Sequence, residues 1–175
     1  MTTRSILAAT TALALSAFTL AGAQGDRKAA TAEVKDAQGK VVATAKFKQV
    51  KGGVQLAVKA TGLPAGSHAI HVHTVGKCEG PGFTTAGGHF NPAHKQHGIM
   101  NPEGHHAGDM PNFTINAKGA GTFKTIIQGI TLVGDGETSL FHAGGTALVI
   151  HEKADDMKSD PAGNAGARLA CGVVQ

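Results

Sequence analysis

Six histidines and one aspartate have the types and spacing to do chemistry in this chain: His71, His73, His89, His97, His106, His151 and Asp109. All 10 histidines lie between His68 and His151, so the enrichment is regional. Imidazole is the commonest metal ligand, and closely spaced His/Asp groups read as metal sites. His71-Val72-His73 puts two imidazoles on one face of a strand, because side chains two apart on an extended chain point the same way; Ile70 and Val72 then face the core. A lone His-x-His is a weak signal, but this one has company. Gly87-Gly88-His89-Phe90-Asn91-Pro92 places a histidine in a sharp turn, and His97-Gly98 follows eight residues later. His106-Ala107-Gly108-Asp109 sets a histidine three residues from a carboxylate. A His3Asp set suits tetrahedral zinc. Ala147-Leu148-Val149-Ile150-His151 ends an apolar run on a histidine that could return to the face of His71 and His73, and four imidazoles in a roughly planar arrangement suit Cu(II). On this reading one histidine serves two metals at once.

The elements that must hold these groups are strands. Thr31–Asp36 and Val41–Val50 flank a Gln38-Gly39 turn, with Val41, Ala43, Ala45 and Phe47 alternating with polar or small residues. Lys51-Gly52-Gly53 turns the chain into Val54–Ala60, where Val54, Leu56 and Val58 alternate. Further runs cover His68–Val75, Phe113–Asn116, Gly121–Thr131, Thr146–His151 and Leu169–Val174, with a weak piece at Leu140–Phe141. A period of two marks half-buried strands. Roughly eight strands, Gly-rich turns and no long helical stretch predict an all-β fold, an antiparallel sandwich or barrel. Gly76–Asn112 and Glu152–Ala167 break the rhythm. Loops this long in a compact domain are expected to be functional, and a metal and a disulfide can fix a backbone that has few apolar side chains of its own.

Composition narrows the rest. Met1–Thr3 with Arg4, the apolar stretch Ile6–Leu20 and the small-residue pattern Ala21-Gly22-Ala23 read as a secretory signal over residues 1–23, too short for a stable membrane anchor. Residues 24–175 then form one domain. An exported protein with two cysteines, Cys78 and Cys171, is expected to pair them. The formal net charge is +4 and there is no Lys/Arg run, so nothing indicates a nucleic-acid partner. With no Trp and no Tyr, base stacking and an aromatic sugar platform are also unsupported.

At this point the chain resembles the copper/zinc superoxide dismutases of the bacterial secreted type. The matching stretches are His71-Val-His73, Gly88-His89-Phe90-Asn91-Pro92, His97-Gly98, His106-Ala-Gly-Asp109, Leu148-Val149-Ile150-His151 with Asp155-Asp156, and Gly163-Asn164-Ala165-Gly166-Ala167-Arg168-Leu169-Ala170-Cys171-Gly172. Each motif is moderate alone; their order and spacing are specific, and they span nearly all of residues 24–175. The resemblance implies an eight-stranded Greek-key β-sandwich or barrel with two long functional loops. It implies one copper on His71, His73, His89 and His151, and one zinc on His89, His97, His106 and Asp109, with His89 bridging. Asp155 matches the carboxylate that links a copper-bound to a zinc-bound histidine, and Arg168 the guanidinium beside the open copper position. The implied reaction is dismutation of superoxide to dioxygen and hydrogen peroxide by a copper redox cycle. The rival is a catalytically silent copper-binding or copper-delivery protein on the same fold, which typically loses ligands or the arginine.

His68, His94, His105 and His142 are left over and are read as structural or solvent-facing. The segment from Asp155 to Arg168 lacks the extended charged stretch of eukaryotic members, so steering falls to other cations, with Lys77, Lys153 and Lys158 as candidates. No histidine precedes His68, so a His-rich copper-capturing extension is not expected. Export to the periplasm, cell envelope or medium is expected, as a monomer or a homodimer.

Overall fold

The computed structural model describes residues 27–175; the signal expected over residues 1–23 lies outside them. The described chain folds into nine strands: β1 (Ala29–Asp36), β2 (Val41–Val50), β3 (Gly53–Thr61), β4 (Gly66–His68), β5 (Ile70–His73), β6 (Phe113–Ile115), β7 (Ala120–Gln128), β8 (Ala147–His151) and β9 (Arg168–Val173). The only helical piece among the described residues is a 3-10 turn at Thr84–Ala86. The all-β expectation holds.

Seven strands form one antiparallel sheet in the order β5-β8-β9-β1-β2-β3-β7, and β4 pairs with β6. The run β9-β1-β2-β3 is the Greek-key order, three hairpin-connected strands with a later strand returned beside the first. The sheet curls on itself: β4 leads into β5 through Ala69 alone, and β6 packs on β7. Val34, Phe47, Val54, Leu56, Ile70, Val72, Leu148 and Ile150 point inward and make the core.

Three departures from the sequence reading have local causes. The single strand expected over His68–Val75 is cut at Ala69, whose N–H goes to Lys153 O at 2.8 Å and whose carbonyl accepts from His151 N at 2.9 Å, so this residue pairs outside the regular ladder. Val41 is exposed and Val42 buried, because the β1–β2 register slips between Val34 and Lys35; a bulge of this kind shifts the inside/outside alternation by one residue. Leu140–Phe141 is a turn, pinned by Ser139 Oγ, which accepts from Phe141 N at 3.1 Å and donates to Gly134 O at 2.7 Å.

A second small cluster lies outside the barrel. Ala147 and Val149 of β8 pack there with Phe83, Ala86 and the cysteines. Cys78 and Cys171 form the expected disulfide, with Cα atoms 5.5 Å apart. The bond staples the loop after β5 onto β9.

Candidate metal centre

The strand that carries His71 and His73 is buried on both sides. Ile70 and Val72 turn into the barrel; His71 and His73 face outward, opposite Val149 and Ala147 of β8. The histidines therefore stand on the outer face of the β-sheet, under the two long loops, rather than at a barrel mouth.

β5 is an edge strand, and the loop that follows it covers that edge. Thr74 N donates to Gly88 O at 2.9 Å, Phe90 N to Val72 O at 2.8 Å and Val72 N to Gly108 O at 3.0 Å, while Gly108 N returns to Phe90 O at 2.8 Å. These bonds set His89 against His73 as an isolated bridge. The approach at Gly108 leaves no room for a Cβ, which would meet the Val72 carbonyl oxygen. Backbone pairing, not side-chain packing, thus brings the turn histidine to the strand histidines.

The ligand atoms fall into two groups that share His89: His71, His73, His89 and His151 in one, His89, His97, His106 and Asp109 in the other, each with its ligand atoms within 4.8 Å of one another. In the first, the far ring nitrogens are occupied. His71 Nε2–H donates to Asp155 at 2.7 Å, and His73 Nδ1–H donates to Gly87 O at 2.9 Å. His151 Nδ1 faces Gly166 O at 3.5 Å. Such contacts fix the tautomer and ring orientation and leave the opposite lone pair free. His73 Nε2 and His151 Nε2 approach to 3.4 Å.

In the second group, Asp109 Oδ1 lies 2.9 Å from His89 Nδ1, 3.1 Å from His97 Nδ1 and 3.3 Å from His106 Nδ1. Asp109 Oδ2 accepts the backbone N–H groups of Gly98 and His106 at 2.9 and 3.0 Å, which aims Oδ1 at the rings. Three ring nitrogens around one carboxylate oxygen are a hard-and-borderline donor set that a cation such as zinc fits.

Two buried nitrogens in this centre have no hydrogen-bond partner, His71 Nδ1 and His89 Nε2. An unpaired buried polar atom is costly, and both face the first group, where a metal ion would satisfy them. Burial pushes His73 down to about 2 and His89 and His151 to about 4. These rings are neutral at neutral pH with lone pairs available. At His97 burial opposes charge, but the Asp109 and Asp155 carboxylates outweigh it and raise the ring to about 9. Burial would also raise the Asp109 carboxyl, yet His106, His89 and His97 hold it well below the usual carboxylate range.

All the expected site residues converge. Asp155 joins the two groups, accepting from His71 Nε2 at 2.7 Å and from His97 Nε2 at 3.0 Å. Arg168 donates through Nη1 to Phe83 O and through Nη2 to Gly87 O, both at 2.7 Å. Of the leftover histidines, His68 is buried with its ring nitrogens on His151 O at 2.8 Å and Pro64 O at 2.9 Å, a structural role. His142 stacks on Phe90 at 5.3 Å between ring centroids. His94 and His105 belong to neither group.

Several supporting residues were not assigned a role by the sequence. Asn112 holds the Asp155 backbone from both sides, Nδ2 donating to Asp155 O at 2.9 Å and Oδ1 accepting from Asp155 N at 2.8 Å. Asp160 accepts from His97 N at 2.7 Å. Gly163, at φ +61°, lies so close to Asp155 that a Cβ would collide with its carboxylate oxygen. Asn112 and Asp160 act across 43 and 63 residues, so no local spacing could have marked them.

Fold and site together define a two-centre histidine/carboxylate metalloprotein on a Greek-key β-scaffold. The model of the copper/zinc superoxide dismutase family (SODC) matches residues 38–174. The chain is 48% identical over 145 residues to a Cu-Zn superoxide dismutase of Aquifex aeolicus, covering 82% of this chain and 86% of the relative. It is 39% identical over 148 residues to a Cu-Zn superoxide dismutase of Caulobacter vibrioides, covering 83% and 85%. Among solved structures, a SOD-like protein from Bacillus subtilis superposes with a TM-score of 0.79 at 35% identity, covering 83% of this chain and 97% of that one. The Cu/Zn superoxide dismutase from Brucella abortus gives 0.67 at 28%, covering 84% and 99%.

The chain belongs to the copper/zinc superoxide dismutase family. It is accordingly an oxidoreductase that acts on superoxide, with copper and zinc as the family's metals.

Proposed function

We propose that His71, His73, His89 and His151 hold copper, that His89, His97, His106 and Asp109 hold zinc, and that His89 bridges the two. The observation that carries this reading is the division of one ring: His89 Nδ1 sits among the donors of one group, 2.9 Å from Asp109, while its Nε2 is buried, unpaired and turned to the other.

When bound, copper would supply a one-electron couple and zinc a redox-silent positive charge. The chain's residues do the rest. His89 holds a proton at Nε2 between the two halves of the cycle and releases it to the second superoxide; a further proton comes from water. The balance is two superoxide anions and two protons to one dioxygen and one hydrogen peroxide. Asp155 keeps His71 and His97 in fixed orientation. Arg168, tied to two loop carbonyls, draws in the anion and orients it by charge and hydrogen bonding. Lys77, Lys153 and Lys158 are the candidate steering cations.

The silent copper-carrier alternative is disfavoured because all seven donors and Arg168 are present. We further infer a signal over residues 1–23, a single domain over 24–175, and export to the periplasm, cell envelope or medium, in keeping with the disulfide. The test is superoxide decay measured on copper- and zinc-reconstituted protein beside a His89→Ala variant. Activity in the wild type and its loss in the variant support the bridge; equal activity in both defeats it.

A further inference from the structure

We propose that the outer face of β2, β3 and β7 docks reversibly on an anionic lipid bilayer. The residues that turn outward there follow from the register. Lys48, Gln55 and Ile126 form one cross-strand row, Lys46, Ala57 and Lys124 the next, and Thr44, Lys59 and Thr122 a third. The inward neighbours Ala45, Phe47, Val58 and Ala60 are buried, so the four lysines face solvent. Strands lie ~5 Å apart and a two-residue step is ~7 Å, which spreads four ammonium groups over a patch of roughly 10 by 14 Å.

The patch is poor in counter-charge. The one acidic side chain bordering it on β1 is Glu33, opposite Thr44 and engaged with Lys35 at 3.8 Å. Like charges on one sheet face cost stability, so the arrangement is not explained by folding. Protection of a sheet edge does not explain it either. Lysines blunt edge strands, but three of these four stand on the interior strands β2 and β3.

The shape and chemistry select the partner. A two-dimensional lattice of charges suits a planar anionic surface, whereas a linear polyanion calls for a stripe. Lysine is a point charge without the planar fork that reads phosphates in pairs, and among the described residues the face's aromatic ring, Phe123, is half-buried against Phe113 rather than presented for base stacking. Ile126 is 52% exposed and stands at the β7 end of the Lys48 row, where an apolar side chain meets the headgroup region. Small side chains at Thr44, Ala57 and Thr122 leave a shallow groove of 710 Å3 between the lysines, room for lipid headgroups. The metal centre stands on the outer face of β5 and β8, strands that do not pair with β2, β3 or β7.

The experiment is co-sedimentation of the mature protein with vesicles of phosphatidylglycerol and phosphatidylcholine in equal parts, or of phosphatidylcholine alone, at low and high salt. Wild type is expected to bind only the anionic vesicles and to release at high salt. Each lysine near an anionic leaflet adds about fivefold to partitioning, so the Lys46→Gln, Lys59→Gln, Lys124→Gln triple variant is expected to bind roughly a hundredfold more weakly with unchanged dismutase activity. A charge-matched variant, Lys40→Gln, Lys95→Gln, Lys118→Gln, is expected to bind as wild type. Equal binding to both vesicle types, salt-insensitive binding, equal loss in both triple variants, or preference for dextran sulfate over the vesicles would each overturn the proposal.

Discussion

His73 and Arg168 are joined through one carbonyl oxygen, that of Gly87, which accepts from His73 Nδ1 at 2.9 Å and from Arg168 Nη2 at 2.7 Å. A strand histidine of the proposed copper site and the guanidinium that would receive the anion are therefore referenced to the same point on the loop after β5. That loop is held in turn by the Cys78–Cys171 bond, and Phe83 O of the same loop takes the second guanidinium contact.

Cutting the staple should be felt at the arginine. The Cys78→Ser, Cys171→Ser variant is expected to lose about 2–5 kcal/mol of stability and to lower kcat/KM for superoxide more than it lowers copper content. Thermal melts, metal analysis and superoxide-decay kinetics separate the two effects. A variant with full kcat/KM would show that Arg168 is held by its own two hydrogen bonds alone.

Asn112 fixes the main chain of Asp155, and Asp155 fixes His71 and His97. Asn112→Ala is therefore expected to weaken metal affinity by about 10–100-fold, the range for loss of an outer support to a ligand, although Asn112 touches no proposed ligand directly. Competition titrations with chelators for each metal check this. Unchanged affinities would mean that the two loops hold Asp155 without the clamp.

At Gly163 a methyl group has no space. Gly163→Ala is expected to displace the Asp155 carboxylate, because the new Cβ would enter its oxygen, and to strain a backbone at φ +61°. Gly129→Ala is the control: it has positive φ too, +72°, but open space around the site. Comparable destabilisation with normal metal binding in both would reduce the Gly163 effect to backbone strain.

The metal-free protein should have a two-sided pH dependence. His73, His89 and His151 are lowered from 6.5 to about 2, 4 and 4 by burial, so between these values and 6.5 the unfolded chain binds more protons. Their contribution is fully present above 6.5 and is lost as pH falls through that window. His97 is raised to about 9; its contribution is full below 6.5 and is lost as pH rises to about 9. Melting temperatures across pH should therefore fall on both sides of 6.5. Zinc should remove the alkaline decline, because a metal-held ring has already given up that proton. Persistence of that decline in zinc-loaded protein would show that His97 is not a ligand.

Much of this molecule can be read from its order of residues. Period-two patterning marks β2 and β3 because Phe47, Leu56 and Val58 must alternate with solvent-facing side chains, and the spacing of His71, His73, His89, His97, His106, Asp109 and His151 marks the proposed ligands because metal donors are few in kind. The sequence alone could not show that Val42, not Val41, turns inward, since a bulge is a property of two paired strands. Nor could it show that Gly108 and Phe90 bind the edge of β5, that Asn112 clamps Asp155, or that Gly87 O serves both His73 and Arg168. Those contacts join backbone atoms and side chains far apart in the chain, so they exist only once the tertiary structure has brought the two loops together over the outer face of β5 and β8.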